Sequence, residues 1–161
     1  MGQQQLLLVI LVTIIVGIAT VVAINTFGTA ADQANIDAVN NDIATLASAA
    51  QGFYMRPEML GGGSRSFTGL SFEGLAFPAS VLGDEDDGNP MTAQNENGRF
   101  EIEDVGGQEF TIVAYPSSSE GYTPGEPDTD GQATLSTGGE EITARVGPNE
   151  FELDARAESQ D

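Results

Sequence analysis

The residues of this chain whose types and spacing could do chemistry are almost all carboxylates. Asp84-Glu85-Asp86-Asp87-Gly88-Asn89 gathers four acids beside a glycine that permits tight wrapping, and Glu126, Asp128 and Asp130 precede Gly131 at alternate-residue spacing. Several carboxylates around a sharp turn are what a hard, oxygen-seeking cation such as Ca²⁺ requires. Neither run completes the spaced D-x-D-x-D-G pattern with its distal Glu. Asp84, Asp86, Asp87, Asp128 and Asp130 are therefore candidate Ca²⁺ ligands only by composition, and solvated acidic loops are the expected state. No dedicated metal centre and no cofactor are expected. Carboxylate pairs suited to glycoside hydrolysis abound in any chain this acidic, but spacing in sequence does not fix separation in space. No catalytic residue is assigned and no enzyme activity is expected. Gly61-Gly62-Gly63 leads into Ser64-Arg65 instead of Lys-Ser/Thr and follows no strand, so it reads as linker and not as a phosphate cradle. Phe53-Tyr54 reads as core.

The missing residue types narrow the chemistry further. The 161 residues include 25 Asp and Glu, five Arg, and no Lys, His or Cys, giving a net charge of 5 − 25 = −20. Thiolate nucleophiles, disulfides and Cys-based zinc sites are excluded, as are imidazole bases, His-ligated metals and lysine Schiff bases. Strong negative charge without a basic stripe argues against nucleic-acid binding and against electrostatic docking on anionic lipid. Acids in fivefold excess over Arg, with no Lys, match proteins adapted to high salt, where a Debye length of about 3 Å at 1 M screens self-repulsion. Molar salt is accordingly expected to stabilise the acidic region.

That charge is unevenly placed. Residues 1–31 carry no ionisable side chain, so the whole −20 falls on residues 32–161. Leu6 to Phe27 (LLLVILVTIIVGIATVVAINTF) is 22 residues interrupted only by Thr13, Gly17, Thr20, Asn25 and Thr26. As a helix it spans about 33 Å, matching the ~30 Å hydrocarbon core of a bilayer. A cleaved secretory signal fits less well, because MGQQQ lacks the basic n-region and the apolar stretch is long. The segment is expected to be retained.

A second helical pattern follows without a long loop. Ile36, Val39, Ile43, Leu46, Ala50 and Phe53 recur at steps of 3, 4, 3, 4 and 3, a stripe about 100° wide that suits a helix laid on a core. Asn35, Asn40, Asn41 and Thr45 occupy the opposite face. Arg56-Pro57 and the glycine run end the pattern. Gly17 and Gly28 are weak points, and Thr29-Ala-Ala-Asp32 fits the start of a fresh helix. One long helix able to bend or melt between Gly17 and Gly28 is expected.

Beyond Phe67 the period becomes two. Residues 99–105 place Phe100 and Ile102 on one face, and residues 109–115 place Phe110, Ile112 and Ala114 there, with Asn97-Gly98 as a preceding turn. Ala133/Leu135, Ile142/Ala144/Val146 and Phe151/Leu153/Ala155 continue the alternation between glycine-containing turns. The expected fold class is α+β: a long N-terminal helix, apolar and then amphipathic, packed on an antiparallel β-meander. Four regions follow, namely an apolar helix (1–28), its amphipathic continuation (29–57), a Gly- and Asp-rich connection (58–98) with short apolar patches at Phe67, Leu70, Phe72, Leu75 and Phe77, and a sheet domain (99–161).

This layout resembles the type IV pilin and pseudopilin family. Met1, the Leu6–Phe27 run and the Ile36–Phe53 stripe carry the resemblance, and the coarse plan covers the whole chain. It implies a filament subunit whose apolar helices bundle as the core of a helical homopolymer while the acidic domains face outward. Met1, Gln5, Leu6, Leu7, Leu8, Ile10, Leu11, Ile14, Ile15, Gly17, Ile18 and Gly28 would then be assembly residues. The implied partners are further copies of the chain, the membrane before assembly and a pilus assembly machinery. The implied location is the cytoplasmic membrane and then the cell surface. Two departures stand out. The family usually has Glu at the fifth mature position, where this chain has Gln5, an acceptor without charge assistance; cleavage after Gly2 would instead bring Leu7 to that position. The disulfide-closed C-terminal loop of many such pilins is absent. A pseudopilin of a secretion system and a single-pass, membrane-anchored binding module are the alternatives. Adhesion, motility, DNA uptake or coating, and glycans on Ser117–Ser119 or Thr134–Thr137, are not legible in the residues.

Overall fold

A computed structural model of the chain describes residues 2–82, 91–119, 122 and 141–157. Helix α1 runs Gly2–Met55. A glycine costs a helix only about 1 kcal/mol relative to alanine, and neither Gly17 nor Gly28 interrupts it. The start that Thr29-Ala-Ala-Asp32 would fit is not used, and α1 is the one long helix expected. The Thr29 hydroxyl instead donates backwards, to the carbonyls of Asn25 (3.2 Å) and Thr26 (3.1 Å). The chain divides into two compact units, residues 1–34 and 35–161.

Pro57 stops α1, lacking an N–H and clashing with the preceding turn. The segment that follows folds back to satisfy the helix's last carbonyls, which would otherwise lack partners. The N–H groups of Gly63 and Arg65 donate to the carbonyls of Phe53 and Tyr54 (2.9 and 2.8 Å), and that of Ser64 to Arg56 (3.0 Å). Gly63 has to be glycine, since a Cβ there would collide with the Ser66 carbonyl and the Phe53 ring.

Among the described residues, the second unit carries a six-stranded antiparallel sheet whose spatial order follows the chain: β1 Ser80–Val81, β2 Thr92–Gln94, β3 Gly98–Glu103, β4 Phe110–Pro116, β5 Glu141–Val146 and β6 Phe151–Ala157. The α+β arrangement and the meander are those expected. The 58–98 connection is more regular than its composition suggests, holding 3₁₀ turns at Glu58–Leu60 and Phe72–Gly74 as well as β1 and β2. The strand expected around Ala133/Leu135 lies outside the described residues; β4 pairs directly with β5, from Phe110↔Val146 to Ala114↔Ile142.

The α1 stripe (Val39, Ile43, Leu46, Ala50, Phe53, with Ala47 added) and the sheet face expected from alternation (Phe100, Ile102, Phe110, Ile112, Ala114, Ile142, Ala144, Val146) share one buried core. Each covers the other's apolar surface, as a one-faced sheet and a striped helix must. Phe67, Leu70, Phe72 and Leu75 from the connection join them. Phe67, fully buried, stacks between Tyr54 and Phe110 at ring-centroid distances of 4.9 and 5.0 Å.

The polar side of α1 is not simply solvated. Asn35 Nδ2 donates to the Asn97 carbonyl (3.0 Å) and to Ser117 Oγ (3.1 Å), while Asp42 Oδ2 accepts from Asn95 Nδ2 and Asn97 Nδ2, both at 2.8 Å. Asn95 Oδ1 in turn accepts the N–H groups of Asn97 and Gly98 (2.9 and 3.1 Å), shaping the β2–β3 turn. Hydrogen bonds to charged groups contribute about 1.5–3 kcal/mol each. Asp42→Ala is therefore expected to lower unfolding stability by about 2–3 kcal/mol, measured by urea denaturation, with Asp42→Asn intermediate.

Candidate functional site

An apolar surface on a helix needs something to cover it, and residues 2–34 find nothing within their own unit that does so. Fifteen large apolar side chains from Leu6 to Phe27 are exposed, from 47% at Ile10 to 76% at Phe27. The expected assembly residues Gln5, Leu6, Leu7, Leu8, Ile10, Leu11, Ile14, Ile15, Gly17, Ile18 and Gly28 all lie on this surface and all are exposed. Met1 lies outside the described residues. By length and composition, α1 contains a segment able to cross a membrane.

The polar interruptions are arranged to suit an apolar surrounding. Thr13 donates to the Ile10 carbonyl (2.8 Å), Thr20 to Val16 (2.8 Å) and Thr26 to Val22 (2.9 Å). A hydroxyl satisfied by its own helix can enter hydrocarbon, or a dry protein interface, without leaving a donor unpaired. A Cβ built at Gly17 or Gly28 would meet no atom within 4 Å, so packing inside this chain does not require glycine at either position.

The described carboxylates give no comparable site. Asp84, Asp86, Asp87, Asp128 and Asp130 lie outside the described residues. Among the described residues, no three acids gather closely enough to hold a metal ion. Phe53 and Tyr54 join or flank the core, as expected.

A cluster on the other face of the sheet was not legible in the sequence, where alternation implies a solvated polar side. Arg99, directly opposite Tyr115 in the β3–β4 register, is only 5% exposed. Its guanidinium lies 4.5 Å over the Tyr115 ring centroid, and Nη2 pairs with Glu101 Oε1 at 3.0 Å. Val113 beside them is buried. A desolvated cation facing a ring and a carboxylate is a structural bond in this setting. Burial pushes the Tyr115 phenol above its ordinary 10.0, the Glu101 and Glu141 carboxylates push it the same way, and Arg99 opposes them. With the folded value raised, the stabilisation is complete below pH 10.0 and is lost as pH rises through the folded value. Alkaline titration followed by near-ultraviolet absorbance is expected to show late-ionising tyrosines, since burial raises Tyr122 as well; Tyr115→Phe should remove one of them, and thermal stability should fall as pH rises from 10.0 through the Tyr115 ionisation.

Comparison with models of known families, with curated proteins and with solved structures finds no match to this chain.

Proposed function

We propose that the chain is the structural subunit of an extracellular type IV pilus-like filament, assembled through its apolar N-terminal helix and without a catalytic role. The supporting observation is the pairing of two features on α1. Fifteen large apolar side chains from Leu6 to Phe27 are exposed, and they belong to the same helix, Gly2–Met55, as the stripe that builds the domain core. A binding module that is merely tethered needs no such continuity. A subunit whose position in a polymer is transmitted from its core helix does.

In this reading the helix sits in the cytoplasmic membrane before assembly and packs against copies of itself afterwards, with the acidic domain outward. Burying a Leu, Ile, Val or Phe side chain contributes about 1.5–3 kcal/mol relative to water, which holds the helix in lipid or in a bundle of copies; passage from one to the other is driven by close packing of the helices. Gln5 would accept a hydrogen bond from a neighbouring N-terminal amine, more weakly than the family's usual Glu. The acid excess fits a filament exposed to concentrated salt.

Electron microscopy of material sheared from cells with and without the chain tests the proposal. Thin fibres present only with the chain, and containing it by mass spectrometry, are expected. Unchanged fibres, with the chain left in the membrane and extracted as a monomer in mild detergent, would instead identify an anchored module.

A further inference from the structure

Asn97-Gly98, in the turn between β2 and β3, is the only Asn-Gly pair in the chain, and such a pair can change its own covalent structure. A glycine nitrogen, with no side chain to shield it, can attack the side-chain carbonyl carbon of the preceding asparagine. The Gly98 N–Cγ bond forms, the Cγ–Nδ2 bond of Asn97 breaks, and the amide nitrogen leaves as ammonia with the Gly98 proton. Water then opens the resulting succinimide at either carbonyl, leaving a carboxylate on an aspartyl or an isoaspartyl residue. Water is the only co-reactant.

Glycine is required at position 98 for a reason unrelated to this reaction. A Cβ there would collide with the Tyr115 carbonyl, where β3 and β4 approach each other. The fold therefore retains the reactive pair, and it restrains each group that has to move. Asn97 Nδ2, the leaving nitrogen, donates to Asp42 Oδ2 (2.8 Å). The N–H of Gly98, which must lose its proton, donates to Asn95 Oδ1 (3.1 Å), as does that of Asn97 (2.9 Å). The Asn97 carbonyl accepts from Asn35 Nδ2 (3.0 Å) and from the Ser117 N–H (2.8 Å). Gly98 itself is buried. A side chain tethered to α1 through Asp42 is not free to swing its Cγ onto the Gly98 nitrogen.

We infer that Asn97 is a latent deamidation site, kept in its amide form by the contacts of Asp42 and Asn95. The product does not fit back into this network. It sets a new carboxylate against Asp42, replacing a hydrogen-bond donor by a like charge, and an isoaspartyl link adds a methylene to the backbone of the turn. Opening of the β2–β3 turn from α1 is thus recorded covalently. The inference is independent of whether copies of the chain assemble.

The test incubates the full-length chain in mild detergent at slightly alkaline pH, either folded or unfolded by guanidinium. The peptide released by cleavage after Arg65 and Arg99 is then followed by tandem mass spectrometry. Conversion of Asn97 is expected to be roughly tenfold or more slower in the folded chain, because it waits on local opening. Asp42→Ala, with folding checked by circular dichroism, should bring the folded rate towards the unfolded one; Asp42→Asn, which keeps an acceptor, should do so less. Phe67→Ala is the control for global unfolding, since it lowers stability far from the turn and should accelerate conversion less than Asp42→Ala. Equal rates in folded and unfolded chains, or a folded rate indifferent to both Asp42 substitutions, would overturn the inference. So would acceleration by Phe67→Ala as large as that by Asp42→Ala. Asn97→Asp imitates the product and is expected to lower the urea midpoint. Adding Asp42→Asn, which exchanges donor and acceptor, should restore most of that loss; no recovery would show that like charge is not what excludes the product.

Discussion

Deletion of residues 1–27 is expected to abolish both membrane retention and fibre formation while leaving a folded, soluble, monomeric domain. The fifteen exposed side chains from Leu6 to Phe27 are removed, and with them tens of kcal/mol of apolar burial available to lipid or to neighbouring helices. The core loses nothing, because its first buried residue is Val39 and its partners lie in the connection and the sheet. The new helix start is also favourable. Thr29, whose hydroxyl donates to Asn25 and Thr26 in the full chain, becomes free to cap, and Asp32 then falls in the first turn, where the helix dipole favours negative charge. Thermal stability should match that of the same domain in the detergent-solubilised full chain to within about 1 kcal/mol, given the usual strength of a cap. Sedimentation, membrane fractionation and circular dichroism together decide the outcome. A fragment that still makes fibres would show that the apolar helix is not the polymerisation surface. A fragment that fails to fold would show that the helix is part of the domain.

The largest effect of a single substitution is expected at Phe67. Its ring is fully buried and stacks on both Tyr54 of α1 and Phe110 of β4, while its N–H donates to the Gly107 carbonyl (3.2 Å). The residue thereby ties the helix end, the connection and the sheet to one another. Phe67→Ala removes that ring and leaves a cavity that surrounding aromatics cannot readily fill, at a cost of about 3–5 kcal/mol. Against a typical stability of about 5–15 kcal/mol, this is a large share. Urea unfolding of residues 28–161 should show the loss as a lower midpoint with little change in slope. Phe151→Ala is the control: that ring is 42% exposed on edge strand β6 and its removal should cost clearly less. Equal losses at the two positions would mean that the stack around Phe67 is not the centre of the core.

The amino-acid sequence by itself determined the parts of this protein that rest on periodicity. Ile36 to Phe53 repeat at helical spacing, and Phe100 to Val146 alternate at strand spacing; local geometry alone assigns those side chains to one face, and those faces meet in the core. The uncharged run to residue 31 likewise needs no tertiary information to read as an apolar helix. Tertiary structure decided what has no period. β1 and β2, of two and three residues, are too short to alternate and exist because β3 offers an edge to β2, and β2 in turn to β1. Asn35 and Asp42 look like solvated helix residues until the 95–97 turn arrives to bond them. Arg99 reads as an outward charge in an alternating strand, and only the cross-strand approach of Tyr115, with Glu101 alongside, makes its burial tolerable.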